Sequence, residues 1–305
     1  LARGIDVTVV DDLRTGRESN LAHVRDRVSL VIADVAQDSL DGTVGEGDWV
    51  FHLAGMADIV PSIEAPRAYF ESNVVGTFNV LEEARRAGAG RFIYTASSTC
   101  YGLPEVFPTP EEASIDCRYP YAETKYAGEH LAMHWASCYS LPVVSLRLFN
   151  VYGPRSRTTG AYGAVFGVFL AQKLANEPFT VVGDGEQTRD FTYVTDVVEG
   201  MIRAAESDLR GAAINIASGK PQSINRLVEL LEGDVTNIPK RPGEPDCTWA
   251  DITKADRMLG WQPTVSFEDG VARMRERIED WGDAPVWTPE SIEDATATWF
   301  AQLGS

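Results

Sequence analysis

R-F-I-Y-T-A-S-S-T-C-Y-G, residues 91–102, is the stretch that decides the fold. Its opening R-F-I-Y-T is apolar and aromatic without alternation, as expected for a strand buried on both faces. From Thr95 onward it turns hydroxyl-rich, as a strand would on leaving the sheet at a ligand-binding edge. The runs I-D-V-T-V-V (5–10), S-L-V-I (29–32), W-V-F-H-L (49–53) and P-V-V-S-L-R (142–147) share the strand character. Segments 66–87 and 121–139 lie between them with helical spacing and length. Alternation of this kind with short loops predicts an α/β fold with a parallel, doubly wound sheet. F-T-V-V (179–182) and A-I-N-I (213–216) are further candidate strands. Helices are expected over 162–175, 195–207, 222–232, 253–259 and 267–280. After Trp281 the chain is acidic and turn-rich, then helical in pattern over 289–303.

Composition narrows the function. With 27 basic and 45 acidic residues the formal charge is −18, which argues against nucleic acid and against an anionic membrane surface. No apolar run approaches the ~18 residues of a membrane span, and no signal peptide precedes the first strand. Cys100, Cys117, Cys138 and Cys247 are widely spaced without C-x-x-C, so reduced thiols in a cytoplasmic protein are expected. The basic residues are 22 Arg and only 5 Lys, an acidic, lysine-poor balance like that of proteins from salt-loving microbes. Such a protein would gain stability from low to multimolar KCl, whereas an ordinary acidic protein would be fully stable without salt.

One of the five lysines lies four residues after a tyrosine, in Y-P-Y-A-E-T-K (119–125). Residues i and i+4 share a helix face, so Tyr121 and Lys125 can address one cleft. A phenol titrates at about 10, and a neighbouring cation favours the phenolate, giving an acid–base device for a substrate hydroxyl. Such a pair also occurs on solvent-facing helices, so its surroundings decide. Asp11 ends the first strand, where a carboxylate can accept from ribose hydroxyls and repel a 2′-phosphate, favouring NAD over NADP; a turn residue is the plainer reading. Asp34 and Val35 follow the next strand and suit an adenine contact. H-L-A-G (52–55) closes the third with small residues that admit a ligand to the backbone. Asn73 lies on the 66–87 helix, where it could also cap a break. His130 and His134 are spaced i, i+4 but form no H-E-x-x-H, so a helix interface is expected there rather than a metal site.

The chain opens with L-A-R-G, as if on the last turn of a helix, before a strand that ends V-V-D-D. A dinucleotide fold begins with a strand and a Gly-rich turn. No G-x-x-G-x-x-G stands upstream of Val7. The first strand, phosphate loop and most of the first helix are therefore expected to be missing from the sequence. A truncated or misassigned start would account for this; the alternative is a natural variant with crippled cofactor binding.

The ordered motifs V-V-D-D-L-R-T-G, A-D-V, H-L-A-G, N-V-V-G-T, T-A-S-S-T-C-Y-G, Y-A-E-T-K, R-L-F-N-V-Y-G-P, V-G-D-G-E-Q-T-R-D-F-T-Y-V-T-D and W-A-D-I-T-K-A-D-R-M-L-G-W cover nearly all of 1–281. In this order they resemble the extended short-chain dehydrogenase/reductase family, the NAD-dependent nucleotide-sugar epimerases and dehydratases. The resemblance implies a Rossmann-type NAD-binding domain over 1–155, rejoined by 188–220, and a smaller α/β substrate lobe from 156–187 and 221–305. It implies Ser97, Tyr121 and Lys125 as catalytic residues. NAD contacts would come from Asp11, Asp12, Asp34, Val35, Leu53, Ala54, Gly55, Asn73, Tyr121, Lys125 and Leu148. Substrate contacts would come from Ser97, Asn150, Arg189, Arg241, Glu244 and Thr248. In these roles Lys125 bonds the nicotinamide ribose and lowers the Tyr121 pKa, Arg189 and Arg241 pair with the diphosphate, and Glu244 accepts from a ribose hydroxyl. A homodimer packed through 66–87 and 121–139 is also implied.

Dehydratases and decarboxylases of the family follow the catalytic hydroxyl with acidic residues, whereas here Ser98 and Thr99 follow Ser97. This favours a 4-epimerase of UDP-hexoses, with Tyr121 taking the 4-hydroxyl proton as C4 is transiently oxidised. Thr248 stands where some family epimerases carry a tyrosine, so an N-acetyl group at C2 is expected to fit. Met56 and Ala57 replace a lysine of some hexose epimerases. A dehydratase or reductase of the same family, or a non-catalytic NAD-binding protein, are the alternatives.

Overall fold

The computed structural model describes residues 1–156 and 164–304; the first two residues of the helix expected at 162–175 lie outside them. The first half alternates strands and helices as its apolar runs require: β1 (Val7–Asp11), β2 (Val28–Ile32), β3 (Trp49–His52), α1 (Ile59–Glu64), α2 (Pro66–Phe70), α3 (Gly76–Ala87), β4 (Arg91–Ser97), α4 (Pro120–Tyr139) and β5 (Val143–Leu148). The second half carries β6 (Val151–Tyr152), α5 (Val165–Leu174), β7 (Phe179–Val182), β8 (Thr188–Arg189), β9 (Thr192–Tyr193), α6 (Val194–Glu206), β10 (Ala212–Ile216), β11 (Gln222–Ser223), α7 (Ile224–Leu231), β12 (Val235–Ile238), α8 (Thr253–Leu259), α9 (Phe267–Glu276) and α10 (Pro289–Leu303).

The central sheet runs β10-β5-β4-β3 and is wholly parallel. β4 lies inside it, and its side chains divide between the two faces. Phe92 and Tyr94 pack with Leu81, Ala84 and Trp135 under α3 and α4. Ile93 packs with Leu146, Val197, Met201, Ile214 and Trp261 under α6 and α8. This two-sided burial is what an unalternating apolar run demands. Helix α4 comes so close to β4 that a Cβ on Gly128 would sit 2.3 Å from the Tyr94 hydroxyl, so only glycine fits there. A separate core, with Phe169, Phe179, Leu227, Met274 and Trp281, lies beyond β5 in sequence and joins α5, β7, α7 and α9.

Burial on both faces fails for the first three strands. Ile32, Trp49, Phe51 and Leu53 are exposed. Among the described residues β1 and β2 pair only with each other, and β3 only with β4, so their free edges have no neighbour to cover them. The 66–87 helix is also not continuous. It is α-helical at both ends and π-helical over Glu71–Val75, an extra residue of the kind that reorients side chains at functional sites. The two-residue strands β6, β8 and β9 escaped the sequence reading, β11 stands at the start of the helix expected over 222–232, and two longer elements were missed as well. β12 is four residues of mixed polarity and is defined by its parallel ladder with β7. α1 is a six-residue helix with an internal proline.

Candidate active site

The parallel strands carry the expected residues at their carboxyl ends. Asp11 ends β1, Asp34 follows β2, Leu53 to Gly55 follow β3, Ser97 ends β4 and Leu148 ends β5. In the ladder Ser97 stands opposite Leu148. The carboxyl edge of an open α/β sheet is where ligands bind.

Tyr121 and Lys125 lie in the first turns of α4, which starts on Pro120 at a position where its missing N–H is no loss. Lys125 is buried, and its ammonium lies 4.7 Å from the centre of the Tyr94 ring. Burial lowers its pKa to about 8, against the opposing pull of Glu129 one turn along. Tyr121 keeps part of its surface open and packs edge-on to Tyr69. Burial pushes its phenol up; the Ser97 hydroxyl draws it down, and the Asp58 carboxylate raises it further. In the protein alone, therefore, burial outweighs any lowering expected from Lys125. Ser97 accepts from the Thr99 amide at 3.3 Å and from the Thr99 hydroxyl at 2.9 Å, which fixes its oxygen where the strand ends.

Asn73 lies in the π-helical turn. Its Oδ1 accepts from the Met56 amide at 2.7 Å, and its Nδ2 donates to the Met56 carbonyl and to Thr124 Oγ1, both at 3.0 Å. The side chain thus ties the segment after β3 to α4 beside Lys125. Gly55 runs past it with φ of +156°, and a Cβ there would meet Asn73 Oδ1 at 2.7 Å. The bare backbone leaves open a cradle that any side chain would fill.

At the β1 end, Asp11 Oδ1 accepts from the Leu13 amide, and Asp12 Oδ1 from the Arg14 amide. Arg14 pairs with Asp12 at 3.2 Å and Asp34 at 3.1 Å and reaches Met56 Sδ. The sequence reading missed Arg14 although it stands in the quoted V-V-D-D-L-R-T-G run. Val35 is buried against the α2–α3 region and offers its carbonyl to Asn79 at 2.9 Å. Ala54 packs on the core under α3, and Leu53 is exposed.

The expected substrate residues form two groups. Asn150, with a positive φ, accepts at Oδ1 from Thr248 Oγ1 at 2.8 Å, and the Asp190 amide donates to that Thr248 hydroxyl at 3.0 Å. Arg189 donates to Glu244 Oε1 at 2.8 Å, and Arg241 lies 3.7 Å from Glu244 Oε2. Oε2 is buried and accepts no hydrogen bond among the described residues; its contact is the ion pair with Arg241. Arg189 and Glu244 line a cavity of about 310 Å³ with Val182, Gln187 and Lys240. A second cavity, of about 470 Å³, is bounded by Gly55, Asp58, Tyr69, Asn150 and Trp281. Buried Asp190 knits this region together, accepting from the amides of Ser218, Gly219 and Ala250.

The profile of the GDP-mannose 4,6 dehydratase family matches residues 1–274. UDP-glucose 4-epimerase of Mycolicibacterium smegmatis is 34% identical over 90% of this chain and 91% of its own. The chain belongs to the NAD-dependent epimerase/dehydratase family. UDP-glucuronic acid decarboxylase 2 of Arabidopsis thaliana is 36% identical over 91% of this chain, which spans 64% of that protein. The solved UDP-glucuronic acid 4-epimerase of Bacillus cereus, in complex with UDP-glucuronic acid and NAD, superposes with a TM-score of 0.83 at 30% identity, covering 90% of this chain and 91% of the other. In this epimerase/dehydratase chain no helix among the described residues is long and apolar enough to cross a membrane.

Proposed function

We propose that the protein is an NAD-dependent nucleotide-sugar 4-epimerase, with UDP-hexoses as substrates. The observation that carries this reading is the convergence of Ser97, Tyr121 and buried Lys125 at the edge where β4 ends and α4 begins. The fit to NAD rests on three features. Two carboxylates close β1, the Gly55 backbone leaves a cradle beside Asn73 and Lys125, and Arg14 is already engaged by Asp12 and Asp34 instead of being free for a 2′-phosphate. Asp11, Asp12, Asp34, Val35, Leu53 to Gly55, Asn73, Lys125 and Leu148 would hold the dinucleotide. When bound, NAD supplies reversible oxidation at the sugar C4.

Tyr121 takes the proton of the 4-hydroxyl and later returns it. Ser97 hydrogen-bonds the reacting oxygen. The Lys125 ammonium would favour the phenolate, against the burial that holds the phenol protonated in the protein alone. Arg189 and Arg241 pair with the diphosphate, Glu244 Oε2 accepts from a ribose hydroxyl, and Asn150, held by Thr248, contacts the phosphates. Arginine suits this work through its planar fork of donors. Ser98 and Thr99, where dehydration or decarboxylation would call for a carboxylate, favour epimerisation. The exposed aromatics Phe70, Phe78 and Tyr139 on α2, α3 and α4 support a homodimer packed through those helices. Four free cysteines support a cytoplasmic setting. Incubation with UDP-glucose, UDP-glucuronate and UDP-N-acetylglucosamine, read by proton NMR, tests the reading. A C4 epimer is expected; a 4-keto-6-deoxy product, loss of CO₂, or no turnover would each overturn it.

A further inference from the structure

The family match ends at residue 274, yet the chain after it is built into the site. Helix α10 opens with a capping box between Thr288 and Ser291 and buries Ile292, Thr296 and Trp299, one face at i, i+4 and i+7. Ile292 packs on Val182 and Ile238, and Val182 is a wall of the cavity that holds Arg189 and Glu244. Trp299 donates its indole N–H to the Pro242 carbonyl at 2.7 Å. The same indole carries the Arg241 guanidinium over its ring, 5.5 Å from the ring centre. On its other side, Thr298 donates to Glu64 of α1 at 3.2 Å, and α1 follows directly on the Met56–Asp58 segment at the end of β3.

Residues 240–246 are neither helix nor strand. They carry Arg241 and Glu244 through a turn with Gly243 at φ of +69°. Beyond the Thr188 amide's bond to the Asp246 carbonyl at 2.9 Å and the Arg189–Glu244 ion pair, the loop has no ladder to hold it, so the rest of its geometry comes from outside contacts. The contacts around Trp299 supply two kinds, an indole hydrogen bond to a backbone carbonyl and a cation–π stack. We infer that α10 is a strap that positions the nucleotide-binding loop, with Trp299 as the positioning residue for Arg241 and, through the loop, for Glu244. The inference rests on the nucleotide-sugar reading above. It assigns the strap to binding and not to the chemistry, because Trp299 touches the loop and not the Ser97–Tyr121–Lys125 group. Deleting it should raise KM and leave kcat nearly unchanged.

The test compares Trp299→Leu and Trp299→Phe with the unaltered protein, measuring kcat, KM and, separately, the affinity for UDP alone by calorimetry. Trp299→Leu is expected to raise KM and the UDP Kd about tenfold with kcat within about twofold. Trp299→Phe keeps the ring under Arg241 and loses only the N–H, so a rise of about threefold is expected. Wild-type KM and UDP affinity in Trp299→Leu would overturn the strap. So would equal loss of kcat in both variants. If Trp299→Leu does not fold, Trp299→Phe decides by the same readings. Unaltered protein that binds UDP but epimerises nothing overturns the catalytic reading alone, and the UDP affinities still judge the strap.

Discussion

The two sides of the site are built in opposite ways. The Ser97–Tyr121–Lys125 side stands on a strand end and a helix start, beside the core under α3 and α4, and is assembled by regular structure. The Arg189–Arg241–Glu244 side stands on a two-residue strand and an irregular loop, and is assembled by side-chain cross-links. The difference teaches where each kind of energy goes. On the first side the fold holds a buried cation in place against its own stability. On the second, paired charges hold the backbone in place. Substitutions on the two sides should therefore fail differently: the first in kcat with stability kept or gained, the second in KM.

The largest effect belongs to Tyr121. Removing a positioned acid/base is expected to lower kcat about 10²–10⁴-fold. Tyr121→Phe should do this with KM for the nucleotide sugar within a few-fold, because the ring still packs on Tyr69. Steady-state kinetics decides it, and a Tyr121→Phe enzyme with more than a tenth of the normal kcat would remove the tyrosine from its proposed role.

Lys125 comes next and carries a stability prediction of opposite sign. Its folded pKa is about 8 against an ordinary 10.5. Between those values the unfolded chain binds the proton and the folded one does not, so stability should rise as pH rises from about 8 to 10.5. Below about 8 the folded protein bears the full disadvantage of a buried ammonium, up to about 3 kcal/mol. Lys125→Met should therefore abolish most activity, raise stability at pH 7 in urea melts, and flatten the rise between pH 8 and 10.5. The same pKa predicts that kcat of the unaltered enzyme falls as the ammonium is lost above about pH 8. His52 works in the acid range. Burial lowers it to about 3 from 6.5, with Lys125 adding to the shift. The unfolded chain then binds the extra proton between those values, so His52 should remove stability as pH falls from 6.5 toward 3.

How much of this was visible in the sequence follows the same division. The regular side was legible because its signals are local. The non-alternating run at 91–95, the hydroxyls after it and the i, i+4 pair at Tyr121 and Lys125 each depend on neighbours a few residues away. The other side depends on partners 55 to 58 positions distant, such as Arg189 with Glu244 and Asp190 with Thr248. Only the family motifs singled out its residues, and nothing showed that they bond one another. Arg14 was missed because, besides its near neighbour Asp12, the partner that draws it into the site is Asp34, 20 residues on and beyond β2. The π-helical turn was invisible because what accompanies it, the pair of hydrogen bonds exchanged between Asn73 and Met56, is tertiary. The exposure of β1 to β3 was misread because an apolar run reports what a strand is suited to, not whether a neighbour lies on its edge.

On the cross-linked side, Glu244→Gln should separate charge from shape. The amide keeps the size but weakens the bond from Arg189, in which both groups are charged and which is worth about 1.5–3 kcal/mol. A rise in KM of about tenfold, with kcat within twofold, is expected. Equal falls in kcat and kcat/KM would instead place Glu244 in the chemistry.

The smallest effect is expected at Thr248, where both sides come closest to sharing a residue. Its hydroxyl donates to Asn150 and accepts from the Asp190 amide, so it links the end of β5 to the loop after β8. Thr248→Val keeps the volume and removes both bonds, each worth about 0.5–1.5 kcal/mol net. Only the part of this that loosens Asn150 reaches substrate binding, so a loss of about three- to tenfold in kcat/KM is expected, carried by KM because Asn150 would contact phosphates and not C4. Thr248→Tyr tests size instead. If the small side chain is what admits an acetamido group, the tyrosine should depress turnover of UDP-N-acetylglucosamine far more than that of UDP-glucose. Equal depression of both would mean that Thr248 acts through its two hydrogen bonds alone, and that the room beside the sugar is set by other residues.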